Sequence, residues 1–138
     1  MMEEQKKGMD VTCALIIDNQ NRIFAAQRSE KMKLPLKWEL PGGKIELNES
    51  ADECLIREIK EELNIEIQIL KRLRSNIHNY PNISVNLIPF IVKQLGGQIE
   101  LKEHAKFKWL NVNELLDLDW AEADVPILHE YLNHLNVI

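Results

Sequence analysis

The segment that most constrains the fold is residues 40–65, where a Pro-Gly-Gly turn precedes a helix with a high density of carboxylates. Ser50 and Glu53 have the spacing of a capping box, so the helix should begin at Ser50. It should end near Asn64, because asparagine tolerates the left-handed conformation at a helix C-terminus and residues 65–67 favour a strand. A turn, a helix and a strand are therefore predicted in direct succession.

One side of this predicted helix is apolar. An apolar residue recurs there every four positions, which is the pattern of a helix that packs on a hydrophobic core. The residues concerned are Ala51, Leu55, Ile59 and Leu63.

Beside the apolar stripe lie three glutamates, Glu58, Glu61 and Glu62. Their spacing brings the side chains together within about one helical turn, roughly 5–6 Å. Like charges this close destabilise a helix and raise one another's pKa unless a cation neutralises them, and clustered carboxylate oxygens suit Mg²⁺, with Mn²⁺ as a substitute. The alternative is a solvated helix face on which Arg57 and Lys60 pair with the glutamates.

The spacing of these residues resembles the Nudix box, Gly-x5-Glu-x7-Arg-Glu-U-x-Glu-Glu-x-Gly-U, in which U is a large aliphatic residue. The match runs from Gly43 through Glu49 and the segment 57–62 to Ile65. Chance agreement would be on the order of one in ten million per start position, at ~5–10% usage of each residue type. The one departure is Asn64 in place of glycine, and asparagine is the next-best residue for a left-handed cap.

Beyond the box, the chain is similar to the MutT-type nucleoside triphosphate pyrophosphohydrolases, including their CTP and oxidised-dGTP branch. This similarity extends from Val11 to about Leu132 and includes the segments 26–28, 38–46 and 123–128 and the Glu103-His104 pair. It implies an α/β (α+β) Nudix fold, with a mixed β-sheet sandwiched between helices.

The resemblance also implies a metal site. Glu58 and Glu62 would bind the catalytic metal, Glu61 would share one ion or bridge two, and the backbone carbonyl of Gly42 would complete the shell. Glu103 would add a further acidic ligand from a strand end. For Glu103 the alternative is a solvated strand end beside a lysine.

Four further residues receive roles from the resemblance. Arg57 would pair with Glu49 and so orient the carboxylates of the helix, while Arg28 and Lys44 would lie against the triphosphate. For Arg28 the alternative is a surface charge that closes a hairpin strand.

Two residues would form the base pocket, namely Leu40 and Asp124. Asp124 precedes the apolar pattern of a terminal helix predicted from Ala123 to Leu135, so it could also serve as the N-cap of that helix. Trp109 and Trp120 are expected to pack beneath the same helix.

Composition limits the possible partners. The net charge of −5 argues against binding of long nucleic acid, although a nucleotide can carry its own divalent cations to an acidic site. No stretch approaches the ~20 apolar residues of a membrane span, and the N-terminus is too polar for a signal peptide, so no membrane partner is expected. Two cysteines without a Cys-x-x-Cys or Cys/His cluster favour the cytoplasm and argue against structural zinc.

The chain should form a single domain over residues 1–138, with residues 1–8 as a loose tail. A hairpin is expected from Asp10–Ile17 and Arg22–Arg28, and Gly96-Gly97 is expected to turn into a strand over residues 98–101. The other predicted elements are strands over 38–40, 65–75, 82–94 and 107–110, a turn at 78–82, and a helical turn over 113–116.

The predicted activity is Mg²⁺-dependent hydrolysis of a nucleoside triphosphate, oxidised dGTP or a cytidine triphosphate, to the monophosphate and pyrophosphate, as in sanitation of the nucleotide pool. Glu58 is the expected general base. The expected partner is this small-molecule nucleotide, and the chain would act as a monomer or homodimer. Two alternatives are a Nudix hydrolase of ADP-ribose or a dinucleotide polyphosphate, and a Nudix domain that only senses a nucleotide.

Overall fold

The computed structural model describes residues 7–136, which form one β-sheet with a helix on each face. The strands are β1 (Lys7–Ile17), β2 (Ile23–Gln27), β3 (Trp38–Glu39), β4 (Gly42–Lys44), β5 (Ile65–Arg72), β6 (Asn76–Asn79), β7 (Ile83–Gly97) and β8 (Lys106–Leu110). The helices are α1 (Ala51–Leu63) and α2 (Val125–Asn136), and two short 3-10 helices span Val112–Asp117 and Glu122–Asp124.

Strand β1 is the centre of the sheet. It pairs in parallel with β7 from Lys7 opposite Ile83 to Ile17 opposite Lys93, while its other edge pairs antiparallel with β4 and β2. Strand β2 also pairs with β3 and β8, and β7 also pairs with β5 and β6, all antiparallel. The sheet is therefore mixed, as predicted.

The alternation of β1 sends neighbouring side chains to opposite faces of the sheet, because the side-chain period of a strand is two. Cys13 and Leu15 pack with the residues of α2, whereas Ala14 and Ile16 pack with those of α1. Each helix thus covers one face, and the predicted sandwich is confirmed. None of the helices within residues 7–136 is both long enough and apolar enough to cross a membrane.

Both ends of α1 agree with the prediction. Ser50 accepts a hydrogen bond from the Glu53 backbone N–H at 3.1 Å, and the Glu53 carboxylate accepts one from the Ser50 N–H at 3.0 Å. Asn64 ends the helix in the left-handed conformation, with φ of 59°. The helix buries Leu55, Ile59 and Leu63 against the sheet, as expected.

Several predicted boundaries were wrong. Strand β1 already begins at Lys7, so residues 7 and 8 are not part of a loose tail; residues 1–6 lie outside the described part of the chain. Gly96 and Gly97 do not form a hairpin turn but pair with Glu66 and Ile65 at the end of β7, and residues 98–101 are not a strand. Residues 78–79, expected in a turn, belong to β6.

Trp109 and Trp120 lie on different sides of the sheet. Trp120 packs with α2, as predicted, but Trp109 packs against the α1 side, where its ring meets Phe24 edge to face at 5.5 Å. Trp109 faces α1 because the alternation of β8 places Leu110, rather than Trp109, in the α2 cluster.

The end of α1 packs closely on Gly97, which generates a stability prediction. Gly97 has φ of +89°, and a Cβ atom there would lie 2.6 Å from the Asn64 carbonyl oxygen. Gly97→Ala should therefore lower the free energy of unfolding by about 1–3 kcal/mol. Gly96→Ala is the matched control, because a Cβ there meets nothing within 4 Å and the change should stay below about 1 kcal/mol. Equal effects in urea denaturation would contradict this packing.

Candidate active site

A group of charged side chains lies on α1 and on the loop that joins β4 to it. Arg57 on α1 forms two hydrogen bonds with the Glu49 carboxylate in this loop, Nε to Oε2 at 2.6 Å and Nη2 to Oε1 at 2.9 Å. The Arg57 Nη1 atom also donates to Glu58 at 2.8 Å and to Glu61 at 3.2 Å. The pairing of Arg57 with Glu49 that the resemblance implied is thus present.

This pairing changes the proton affinity of Glu49. The hydrogen bonds from Arg57, followed by one from the Glu46 backbone N–H, lower the pKa of Glu49 to about 2. Glu49 therefore stays ionised at neutral pH. The ion pair ties the loop to the helix and fixes the guanidinium beside the carboxylates of α1.

The two glycines of β4 permit close contact with neighbouring elements. A Cβ atom on Gly43 would lie 2.2 Å from the Cδ atom of Glu58, so this carboxylate rests directly against the strand. A Cβ atom on Gly42 would lie 2.0 Å from the backbone oxygen of Thr12 in β1. A side chain at position 42 would collide with the backbone of β1, whereas a side chain at position 43 would displace only the carboxyl end of Glu58.

Glu62 turns inward, into a cavity of about 250 Å³ that we call the acidic cavity. Its Oε2 atom is inaccessible to solvent and has no hydrogen-bond partner among the described residues. Burial, followed by the nearby charges of Glu58 and Glu39, raises the pKa of Glu62 to about 9. The acidic cavity is lined by Val11, Thr12, Cys13, Arg28, Met32, Glu39, Leu40, Gly42, Glu62, Leu87, Glu103, His104 and Asp124.

The three clustered glutamates Glu58, Glu61 and Glu62 do not meet at one point in the arrangement seen here. Glu61 is 59% exposed, Glu58 lies against Gly43, and Glu62 faces the acidic cavity. Within residues 7–136, no three side chains of the His, Cys, Asp and Glu types are grouped closely enough to hold a metal ion. Glu58 and Glu61 share the Nη1 atom of Arg57, and Glu58 lies near enough to Glu62 to raise its pKa, but the three carboxylates do not enclose one common point.

The donor set nevertheless fits a hard divalent cation. Glu62 brings an unpaired, buried oxygen with a raised pKa, and Gly42 and Glu103 line the same cavity. Glu103 lies in the loop before β8 rather than at a strand end. A cation at this point would replace the proton that Glu62 holds at neutral pH, and oxygen ligands alone favour Mg²⁺ or Mn²⁺ over softer metals.

A buried network that the sequence did not reveal crosses the acidic cavity. The Glu39 carboxylate accepts a hydrogen bond from Nη1 of Arg28 at 2.6 Å and lies 2.7 Å from Nε2 of His104. Burial opposes ionisation of Glu39, but the hydrogen bond with His104 and the charge of Arg28 bring its pKa below the ordinary value. The available signal was positional: Glu39 directly precedes Leu40, and His104 directly follows Glu103.

Asp124 is 6% exposed and accepts a hydrogen bond from the backbone N–H of Leu40 at 3.0 Å. Burial, partly offset by this hydrogen bond, raises its pKa to about 7, with the Glu39 charge adding to the rise. Asp124 lies in the 3-10 helix before α2, and its carboxylate bonds Leu40 rather than an amide of α2. The interpretation of Asp124 as an N-cap was wrong.

A second cavity, of about 520 Å³, adjoins the first, and we call it the apolar cavity. The two cavities share Arg28, Glu39 and Asp124 together with two apolar residues. Its remaining lining consists mainly of side chains from β1, β7 and the segments beside them, namely Met9, Lys33, Leu34, Tyr80, Pro81, Asn82, Ile83, Val85, Ala121 and Ala123. The size and lining suit a planar, partly apolar ligand group next to a charged one.

Of the remaining predicted residues, Leu40 lines a cavity and Lys44 does not. Leu40 is buried and lines the acidic cavity, whereas Lys44 is exposed on β4 and lines neither cavity. Tyr80, which the sequence did not mark as functional, lines the apolar cavity. No local pattern in the sequence identifies Tyr80, because the pairing of β6 with β7 brings it there.

Comparison with known proteins supports the family resemblance. A model of the NUDIX domain matches residues 6–131. A CTP pyrophosphohydrolase of Escherichia coli (strain K12) is 31% identical over 119 residues, which are 86% of this chain and 88% of that protein. An 8-oxo-dGTP diphosphatase of Proteus vulgaris is 33% identical over 98 residues, 71% of this chain and 88% of that protein.

A solved structure resembles the fold as a whole. The solution NMR structure of the DNA mismatch repair protein MutT (family Nudix hydrolase) from methicillin-resistant Staphylococcus aureus 252 superimposes with a TM-score of 0.76. The two sequences are 39% identical, and the match covers 94% of this chain and 99% of the other.

The contact of Glu58 with Gly43 generates a prediction about cation binding. In the wild-type protein, millimolar Mg²⁺ or Mn²⁺ should raise the thermal unfolding midpoint, because a ligand that binds only the folded state stabilises it. Gly43→Ala should displace the Glu58 carboxylate and reduce this cation-induced shift. The metal-free midpoint should fall little, because only the end of a side chain must move.

Gly42→Ala is the contrasting variant, since its Cβ would meet backbone atoms of Thr12 and Cys13. It should lower the metal-free midpoint by several degrees. An unchanged cation-induced shift in Gly43→Ala would remove Glu58 from the site. No shift in the wild-type protein with either metal would contradict the site itself.

Proposed function

The chain belongs to the Nudix family, and from this premise we propose that it is a pyrophosphohydrolase that converts a nucleoside triphosphate to the monophosphate and pyrophosphate. The observation that carries the proposal is the Glu62 carboxyl group, buried with an unpaired oxygen in the acidic cavity. The adjoining apolar cavity has room for the nucleoside. A triphosphate would then extend from the apolar cavity toward the glutamates of α1.

Two relatives support the choice of substrate class. One is named a CTP pyrophosphohydrolase and the other an 8-oxo-dGTP diphosphatase, so cytidine triphosphate and oxidised dGTP are the proposed substrates. Both bases carry an exocyclic amino group, which can donate a hydrogen bond to a buried carboxylate. Asp124 and Arg28, which line both cavities together with Glu39, are the proposed contacts of the base and the phosphates respectively.

The proposed cofactor is Mg²⁺, for which Mn²⁺ can substitute. Glu58, Glu61, Glu62, Glu103 and the Gly42 carbonyl are the proposed ligands, and Arg57 with Glu49 would hold the first two in place. When bound, the ion neutralises negative charge that develops on the phosphate oxygens during hydrolysis.

The proposed general base is Glu58. A general base must be held in a fixed position, and Arg57 donates a hydrogen bond of 2.8 Å to the Oε1 atom of Glu58, which orients this carboxylate. The raised pKa belongs instead to Glu62, whose burial suits it better to the role of ligand. Glu58 would take a proton from the water that attacks phosphorus, opposite the leaving phosphate oxygen.

Two cations are proposed to contact the triphosphate. Arg28 is supported by its position at the junction of the two cavities. Lys44 is supported only by its place on β4 between Gly43 and the loop to α1, from which its long side chain can reach an extended phosphate chain.

Removal of the Glu62 charge tests the proposed activity. Glu62→Gln keeps the shape of the side chain without its charge, so the variant should fold but lose at least ~100-fold in pyrophosphate release from CTP and 8-oxo-dGTP with Mg²⁺. Glu66→Gln, an exposed position on β5, is the matched control and should retain wild-type activity. Near-normal turnover of Glu62→Gln at saturating Mg²⁺ would contradict the assignment.

Asp124 generates a prediction that depends on pH. Above pH 7 the ionised carboxylate only accepts hydrogen bonds, so it should favour CTP over UTP by roughly 1.5–3 kcal/mol in kcat/KM, and protonation below pH 7 should narrow that ratio. Asp124→Asn, which can donate, should remove the pH dependence and shift preference toward UTP. The ratio of kcat/KM for CTP to that for UTP reports on base recognition alone, because a change at the metal site affects both substrates equally.

Stability gives an independent check of the same carboxyl group. The folded protein keeps a proton on Asp124 between its ordinary pKa of 3.8 and about 7, where the unfolded chain has lost it. The contribution of Asp124 to the free energy of unfolding should therefore decline as pH rises through this window, and Asp124→Asn should remove that contribution while the decline due to Glu62 remains. Asp117→Asn, an exposed control, should retain the wild-type dependence of the free energy of unfolding on pH.

The substrate prediction has its own contradicting outcome. If Asp124→Asn keeps the wild-type ratio of kcat/KM for CTP and UTP, another residue recognises the base.

A further inference from the structure

A chain of hydrogen bonds joins three segments that are distant in sequence. His104, in the loop before β8, meets Glu39 on β3, and Glu39 meets Arg28 at the end of β2. The His104 side chain is 4% exposed and the Glu39 side chain 17% exposed, so the chain is largely shielded from solvent. All three residues line the acidic cavity.

The direction of the bond between His104 and Glu39 follows from the state of the carboxylate. An ionised carboxylate only accepts hydrogen bonds, so the Nε2 atom of His104 is the donor. The Nδ1 atom of His104 is buried and has no partner within the described residues. His104 therefore has one polar contact, with Oε1 of Glu39, and Arg28 occupies Oε2.

His104 and Arg28 each bond a different oxygen of Glu39, and this limits the contacts that Arg28 can make with Glu39. Arginine and a carboxylate with two free oxygens favour a paired arrangement that uses two guanidinium nitrogens. Here His104 occupies one oxygen, so Glu39 takes a single hydrogen bond from Nη1, while the Nε atom donates to the Lys33 carbonyl. Among the described residues Nη2 of Arg28 has no hydrogen-bond partner, and the Arg28 side chain lines both cavities.

We infer that His104 is a positioning residue for the nucleotide: by donating to Oε1 of Glu39, it limits Glu39 to one bond with Arg28 and leaves Nη2 of Arg28 for the substrate. This inference rests on the proposed function. It assigns His104 to substrate binding through Arg28 and not to the reacting atoms, so its loss should act mainly on KM and little on kcat.

Two competing roles would give different results. His104 could stabilise the loop alone, in which case its replacement would lower the thermal midpoint and leave KM unchanged. It could instead act through its neighbour Glu103, in which case replacement would change the Mg²⁺ concentration needed for half-maximal activity.

The test compares His104→Gln with His104→Leu. Both replacements fill the buried space, but only glutamine can donate to Glu39. For CTP at saturating Mg²⁺, His104→Leu should raise KM about ten- to a hundredfold with kcat within about threefold of the wild type. The Gln variant should recover most of that loss. His129→Ala, an exposed histidine on α2, is the control and should behave as wild type.

A double-mutant cycle then identifies the route. If His104 acts through Glu39 on Arg28, His104→Leu should add less than about threefold to the KM of Arg28→Ala. The dissociation constant of a non-hydrolysable CTP analogue, measured by calorimetry, should change in parallel with KM.

The outcomes separate the inference from its premise. Wild-type KM in His104→Leu, an equal loss in the Arg28→Ala background, or a shift confined to the Mg²⁺ requirement would each overturn the role of His104 while leaving the proposed function intact. A wild-type protein that releases no pyrophosphate from any nucleoside triphosphate would overturn both.

Discussion

The close contact between helix α1 and strand β4 is the constraint on which the rest of the site depends. Gly42 and Gly43 lie where a side chain would collide with the backbone of β1 or with the carboxylate of Glu58. The contact brings several glutamates to one edge of the sheet, where their charges repel one another. Arg57 offsets part of this repulsion, because its guanidinium donates to three carboxylates at distances of 2.6–3.2 Å.

Solvation and hydrogen-bond partners, rather than the number of charges, distinguish the acidic residues. Glu62 and Glu39 are both largely withdrawn from water, but Glu39 receives hydrogen bonds on both oxygens and Glu62 keeps one oxygen unpaired. Their pKa values consequently move in opposite directions, below the ordinary value for Glu39 and to about 9 for Glu62. Asp124 is intermediate in the number of its hydrogen bonds, because it accepts one from a backbone N–H, and its pKa is about 7. A divalent cation would supply what Glu62 lacks.

Local signals predicted the helix and the family resemblance predicted the architecture, whereas the network inside the site could not be read from the sequence. The ends of α1 were predictable because the Ser50 cap and the left-handed Asn64 act within one turn. The bonds from His104 to Glu39 and from Leu40 to Asp124 join residues 65 and 84 positions apart, and no spacing rule connects them. The predicted turn at residues 96–97 was wrong because continued pairing with β5 outweighs the turn preference of glycine.

The central claim is that this site cleaves a nucleoside triphosphate so that pyrophosphate leaves as one unit. Phosphorus NMR of the reaction mixture tests it most directly, with CTP, Mg²⁺ and the wild-type protein followed over time. The account predicts that resonances of CMP and pyrophosphate grow together in equal amounts from the start of the reaction. Accumulation of CDP with orthophosphate, in place of CMP with pyrophosphate, would contradict it.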